Sequence, residues 1–91
     1  MYLFKELTVK SMTLRNRIVM PPMCMYSAEG DGVPTGFHFT HYTSRAVGGA
    51  GLIIMEATGV LPPGRISDRC LGLWNDEQAE AMKPIVAACQ K

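Results

Sequence analysis

The chain has 91 residues and carries nine lysines and arginines against eight aspartates and glutamates, a net charge of +1. This length fits one domain, residues 1–91, and falls well short of folds that need about 250 residues. The apolar fraction of 47% and the charged fraction of 19% are those of a globular chain and argue against disorder. Balanced charge argues against a nucleic-acid partner or an acidic membrane surface, because both attract clustered basic residues.

The cysteines and the N-terminus predict a reducing, cytoplasmic setting. Cys24, Cys70 and Cys89 are odd in number and irregularly spaced, which fits neither a disulfide framework nor a zinc motif. Lys5 and Glu6 interrupt the first apolar residues, so no signal peptide is expected. No apolar stretch approaches the roughly 20 residues that cross a bilayer. We therefore expect neither a membrane partner nor a metal site.

Short extended segments open the chain. Residues 7–9 and 12–14 predict a small hairpin. Residues 17–20 form an apolar strand, which must end at Pro21 and Pro22 because proline lacks the N–H that a ladder needs.

A loop and a helix follow. Residues 27–36 contain three glycines and a proline, which is typical of a surface loop. Thr35 is a candidate cap for a helix that runs to about Val47, where Gly48 and Gly49 end it.

The second half of the chain repeats this order. Residues 51–57 are a continuous apolar run, which predicts a parallel strand covered on both faces. A loop at residues 61–65 precedes a helix that Asn75 or Asp76 could cap, and Pro84 should kink or restart that helix. Two successive strand–helix units favour a parallel sheet, with the ligand edge at the carboxyl ends of the strands.

Residues 21–26 are the first candidate site. Two prolines stiffen the backbone there, and Cys24 and Tyr26 add a thiol and a phenol. On spacing alone, a proline-rich strand exit around a buried cysteine is the preferred explanation.

The other polar candidates receive structural roles. His38 and His41 lie near one helix face, but an HxxH pair without a further ligand is more often packed or exposed than metal-bound. Glu56 lies in an apolar strand and needs a partner, for which Arg17 in the neighbouring strand is available. We therefore expect a structural ion pair between Glu56 and Arg17.

Taken together, these segments resemble the N-terminal part of the old yellow enzyme family, the FMN-dependent ene-reductases. The resemblance covers nearly the whole chain, in order, through residues 14–26, His41-Tyr42, Arg45-Ala46, residues 49–54, Glu56-Ala57, residues 63–65 and residues 73–76. Cys24, where other branches carry threonine, is similar to the bacterial thermophilic-like branch.

The resemblance implies an α/β fold: an N-terminal hairpin and the first two βα units of a TIM (β/α)8 barrel, incomplete in this chain. It implies FMN as cofactor and NAD(P)H as hydride donor, in a reaction that reduces the C=C bond of an α,β-unsaturated carbonyl compound. The flavin would be contacted by Pro21, Pro22, Met23, Cys24 and Ala57.

The same resemblance places Tyr26 in the pocket for a small-molecule activated alkene. No catalytic residue is assigned, because the family's flavin-binding glutamine, histidine pair, proton-donating tyrosine and phosphate-binding segment are expected beyond residue 91. A homo-oligomer is expected. Two other hypotheses stay open: a truncated, non-catalytic α/β fragment that self-associates and binds no flavin, and a small metal-binding protein.

Overall fold

The computed structural model describes residues 2–90, which form three two-stranded ladders and two helices. In chain order the elements are β1 (Leu7–Val9), β2 (Met12–Leu14), β3 (Val19–Met20), α1 (Gly36–Val47), β4 (Leu52–Ile53), β5 (Thr58–Gly59), β6 (Leu71–Gly72) and α2 (Asp76–Cys89). Short 3-10 turns occupy Tyr2–Phe4 and Pro62–Gly64.

The predicted hairpin is confirmed. β1 and β2 pair antiparallel, with Leu7 opposite Leu14. Lys10 turns the chain between them with a φ of 55°, a left-handed conformation. The hydroxyls of Thr8 and Thr13 meet across the pair at 3.1 Å.

The central parallel pair is shorter than the sequence predicts. β3 and β4 pair through Val19 with Leu52 and Met20 with Ile53, and the last bond runs from the Ile54 N–H to the Met20 carbonyl at 3.0 Å. The next residue of β3 is Pro21, which cannot donate to a ladder. The predicted strand over residues 51–57 is therefore wrong in extent.

A second parallel pair was not expected. β5 pairs with β6, Thr58 opposite Leu71 and Gly59 opposite Gly72. Neither strand could be recognised in advance, because two residues carry no periodicity. The Gly72 N–H also donates to the Gly32 carbonyl at 2.9 Å, so the loop that precedes α1 lies against this pair.

Both helices begin where their caps predict. Thr35 is the N-cap of α1, which ends at Gly48. Asn75 caps α2 by accepting the Gln78 N–H at 2.9 Å. α2 continues through Pro84 to Cys89, so the prediction of a restart there is wrong. No helix within residues 2–90 is both long and apolar enough to cross a membrane.

The core lies between the two helices and the β3–β4 pair. Met20, Tyr42 and Ile85 are buried at its centre. Partly buried side chains of Ile53, Met55, Met82 and Cys89 pack around them. Ile85 directly follows Pro84, so the apolar contact that α2 makes with this core lies beside the residue that weakens the helix backbone.

A close backbone approach at Gly51 gives a stability prediction. A Cβ at this position would lie 2.7 Å from the Asn16 carbonyl oxygen, and the Asn16 side chain is itself held by the Gly49 carbonyl at 2.7 Å. We expect Gly51→Ala to lower the free energy of unfolding by about 1–3 kcal/mol, measured by urea denaturation. Gly30→Ala, where a Cβ meets nothing within 4 Å, is the control and should change it by no more than about 0.5 kcal/mol. Equal effects in the two variants would contradict the prediction.

Candidate functional site

The predicted site residues lie at the exposed edge where β3 and β4 end. The two strands run parallel, so the segments that leave them emerge on the same side of the pair. Pro21, Pro22, Met23, Tyr26 and Ala57 are exposed there. Cys24 is partly buried between them. The two strand exits are joined by the Met25 N–H, which donates to Glu56 Oε2 at 3.4 Å. Contacts of the predicted site residues with a ligand stay a prediction.

The backbone at this edge has free donors. Among residues 2–90, the N–H groups of Met23 and Cys24 donate to no other backbone or side-chain group. Pro21 and Pro22 precede them and have no N–H of their own, and the ladder with β4 ends before these residues. An exposed surface with free amides fits a flat ligand that has a polar, acceptor-bearing edge, as the isoalloxazine ring of FMN has.

Tyr26 has an unusual backbone. Its φ is 50°, in the left-handed region that residues with a Cβ rarely adopt. The Ser27 hydroxyl donates to the Met25 carbonyl at 2.9 Å and stabilises this turn. Electrostatic repulsion from the neighbouring Cys24 raises the pKa of the Tyr26 hydroxyl, because a thiolate there would disfavour the negative tyrosinate. A tyrosine hydroxyl is protonated at neutral pH, so the phenol can donate a hydrogen bond to a carbonyl oxygen.

A buried pair of side chains, the Tyr42–Glu56 clasp, lies beneath this edge. The Tyr42 hydroxyl donates to Glu56 Oε1 at 2.7 Å and accepts the Glu56 backbone N–H at 3.0 Å. Glu56 Oε2 accepts the Met25 N–H at 3.4 Å. Tyr42 is 1% exposed and Glu56 4% exposed. Burial, followed by the hydrogen bond to Glu56, raises the pKa of Tyr42 well above its usual value.

The clasp replaces the ion pair expected from the sequence. Arg17 does not reach Glu56; its guanidinium donates to the Glu6 carbonyl at 3.4 Å and lies 5.8 Å from the Tyr2 ring centre. The prediction of a Glu56–Arg17 ion pair is therefore wrong. Burial indicated correctly that Glu56 needs a partner, but the partner is a neutral hydroxyl from α1.

The two histidines have structural positions on α1. His38 Nδ1 accepts the Thr35 N–H at 2.9 Å, and the His41 ring stacks on Phe37 with centroids 5.4 Å apart. Both rings are buried. Within the part of the chain that the structure describes, no group of three or more His, Cys, Asp or Glu side chains is placed to hold a metal ion.

Sequence reasoning also missed a second buried polar anchor, Gln78. Its side chain accepts the Trp74 N–H at 2.7 Å and donates to the Asp31 carbonyl at 2.7 Å. Arg65, in the loop between β5 and β6, also contacts the loop before α1 by donating to the Gly30 carbonyl at 2.9 Å. The only signal for Gln78 was its place three residues after a helix cap, where glutamine completes a capping box.

Fold and edge together define an α/β segment that presents backbone amides and a phenol at the carboxyl ends of parallel strands. The model of the NADH:flavin oxidoreductase / NADH oxidase family matches residues 2–91. The chain belongs to that family, and FMN with NADH or NADPH are the cofactors that membership implies.

Sequence relatives agree with this placement. The chain is 62% identical over 85 residues to an NADPH dehydrogenase of Listeria monocytogenes serotype 4b, covering 92% of this chain and 25% of the relative. It is 52% identical over 91 residues to an NADPH dehydrogenase of Clostridium acetobutylicum, covering 100% of this chain and 27% of the relative. The chain thus spans about a quarter of the length of these relatives.

Solved structures give the same answer for the fold. An old yellow enzyme homologue from Zymomonas mobilis superposes with a TM-score of 0.88 at 40% identity, over 97% of this chain and 24% of that one. Old Yellow Enzyme from Pichia sp. AKU4542 gives a TM-score of 0.89 at 33% identity, over 98% of this chain and 23% of that one. The resemblance to the old yellow enzymes is confirmed.

His38 gives a prediction for the pH dependence of stability. Burial lowers the pKa of His38 below 6.5, so the folded protein keeps the ring neutral at a pH where the unfolded chain binds a proton. We expect the free energy of unfolding to fall as the pH drops below about 6.5. His38→Gln keeps a side-chain acceptor for the helix cap, but this acceptor does not titrate. Between about pH 7.5 and pH 5.5 the variant should therefore lose less free energy of unfolding than the parent protein.

Urea denaturation at the two pH values measures this difference. Thr40→Gln, an exposed position on the same helix, is the control and should keep the full pH dependence. Burial also lowers the pKa of His41, so the free energy of unfolding of His38→Gln should still fall to some extent at low pH. An unchanged pH dependence in His38→Gln would show that His38 does not contribute.

Proposed function

We propose that this chain forms the N-terminal hairpin and first two βα units of an FMN-binding (β/α)8 barrel that reduces the C=C bond of α,β-unsaturated carbonyl compounds with NAD(P)H. The observation that carries the proposal is the shared edge of β3 and β4, where free amides, a thiol and a phenol lie together. Family membership and the names of the relatives as NADPH dehydrogenases support it. A homo-oligomer in the cytoplasm is part of the same proposal.

The residues divide into flavin contacts and a substrate contact. Pro21, Pro22, Met23 and Cys24 would lie along the flavin, with the free Met23 and Cys24 amides toward its polar edge. Ala57 would meet it from the neighbouring strand exit, where a small exposed side chain leaves room for a flat ring. FMN, when bound, supplies the hydride chemistry, and the protein supplies orientation and electrostatics.

Tyr26 and Cys24 have separate roles in this arrangement. The protonated Tyr26 hydroxyl would donate to the carbonyl oxygen of the alkene substrate and orient it. The Cys24 thiol is polarisable and partly exposed, and it would alter the flavin's reduction potential through direct contact. Neither role needs a charged side chain at the edge.

Absorbance tests the proposal directly. The flavin-loaded protein should absorb between about 400 and 500 nm and oxidise NADPH faster when cyclohexenone is added. A protein that stays colourless with added FMN and shows no cyclohexenone-dependent oxidation of NADPH would disprove it and favour the non-catalytic fragment. Stoichiometric zinc in the preparation would favour the metal-binding hypothesis instead.

Tyr26→Phe tests the substrate contact. Removing the hydroxyl should raise the KM for cyclohexenone by about tenfold, the size of one lost hydrogen bond, while the flavin stays bound. Steady-state kinetics measure the effect. Tyr2→Phe removes the same hydroxyl from an exposed tyrosine remote from this edge and should leave KM unchanged. A KM in Tyr26→Phe equal to that in Tyr2→Phe would exclude the contact.

Cys24→Ser tests the flavin contact. Exchange of a polarisable thiol for a hydroxyl should shift the reduction potential of the bound flavin, measured by dye-coupled reductive titration. Cys89→Ser, in α2 and away from the edge, should leave the potential unchanged. Identical potentials in the two variants would remove Cys24 from the flavin site.

A further inference from the structure

We propose that Glu56 is a positioning residue for residues 24–26, acting through the Met25 amide and held in place by Tyr42. The ligand that residues 24–26 would face is the one given by the proposed function, so the kinetic part of this inference rests on it. Side chains hold both backbone groups of Met25: Glu56 Oε2 accepts its N–H at 3.4 Å, and Ser27 Oγ donates to its carbonyl at 2.9 Å.

Glu56 is itself fixed at both its backbone and its carboxylate. The Tyr42 hydroxyl accepts the Glu56 N–H at 3.0 Å and donates to Oε1 at 2.7 Å. Rotation of the carboxylate would break the shorter bond and leave buried oxygens without partners, which is costly at 4% exposure. Oε2 therefore has a defined place from which to hold Met25.

The held amide comes directly before the strained residue of the site. Tyr26 has a φ of 50°, and a residue with a Cβ keeps this conformation only when the surrounding contacts impose it. The hydrogen bonds to Met25 fix the peptide groups on which Cys24 and Tyr26 are carried. They thereby set the direction in which the thiol and the phenol leave the backbone.

Glu56 also spans the two strand exits. Its backbone is the residue before Ala57, while its side chain reaches Met25 on the other exit. One buried carboxylate thus sets the spacing between residues 24–26 and Ala57. The distance of 3.4 Å is at the long end of the range for an N–H···O hydrogen bond.

Hydrogen exchange followed by NMR tests the positioning without any enzymatic activity. The Met25 amide should exchange at least about tenfold faster in Glu56→Gln and in Tyr42→Phe than in the parent protein, while β1 and β2 amides keep their rates. Glu6→Gln, which removes an exposed carboxylate near the N-terminus, is the control. The proposal would be overturned if the Met25 amide exchanged no faster in Glu56→Gln and in Tyr42→Phe than it does in Glu6→Gln.

A double-mutant cycle tests the consequence for the site. Glu56→Gln and Tyr42→Phe should each raise the KM for cyclohexenone about tenfold, with kcat changed less than about threefold. In the Tyr26→Phe background the same changes should raise KM by less than about threefold, because the phenol that they position is gone. Equal effects in both backgrounds would mean general damage and would overturn the proposal.

Two variants are used so that the proposal can still be tested if one of them does not fold. If Glu56→Gln does not fold, Tyr42→Phe keeps the buried carboxylate and ring and is judged by the same two criteria. Failure of the proposed function is distinguishable, because then the parent protein neither retains FMN nor oxidises NADPH. Accelerated Met25 exchange would still support the positioning contact in that case, and unchanged exchange would overturn it.

Discussion

The end of the β3–β4 ladder at Pro21 is the constraint on which the rest of the segment depends. Up to Met20 the two strands are joined by backbone bonds, the last from the Ile54 N–H. Beyond that point Pro21 has no N–H to donate, so the two strands separate, and the segments that leave them form an accessible edge. Within residues 2–90, the N–H groups of Met23 and Cys24 on this edge have no protein partner. The exposed edge therefore follows from the end of the ladder.

A separated pair of strand exits needs another connection, and the structure supplies it with buried side chains. The Tyr42–Glu56 clasp joins α1, the end of β4 and Met25. Gln78 on α2 and Arg65 in the loop between β5 and β6 both donate to the loop that precedes α1. Apart from the bond between the Tyr42 hydroxyl and Glu56 Oε1, these connections run from a side chain to a backbone group, which fixes the course of the backbone without occupying the exposed side chains. The loops are thereby ordered while the edge stays open.

The sequence predicts this architecture well where local rules decide it. Proline stops β3, Thr35 and Asn75 begin the helices, and the hairpin forms over the expected residues. It fails where a distant contact decides. β5 and β6 are two residues long and exist only through their mutual pairing, and the partner of Glu56 lies 14 residues away on a helix. Burial of Glu56 could be predicted, but the choice between Arg17 and Tyr42 needs the direction of each side chain.

The choice of a neutral partner for Glu56 also has a physical consequence. An arginine would neutralise the carboxylate but would bring a second charge into the core, with its own desolvation cost. A tyrosine hydroxyl donates to Oε1, accepts the backbone N–H and adds an aromatic ring to the core beside Met20 and Ile85. The same Tyr42 side chain therefore packs α1 on the strands and holds the Glu56 carboxylate in place. Because Met25 is held from that carboxylate, the geometry of the exposed edge is set by the same contacts that bury the core.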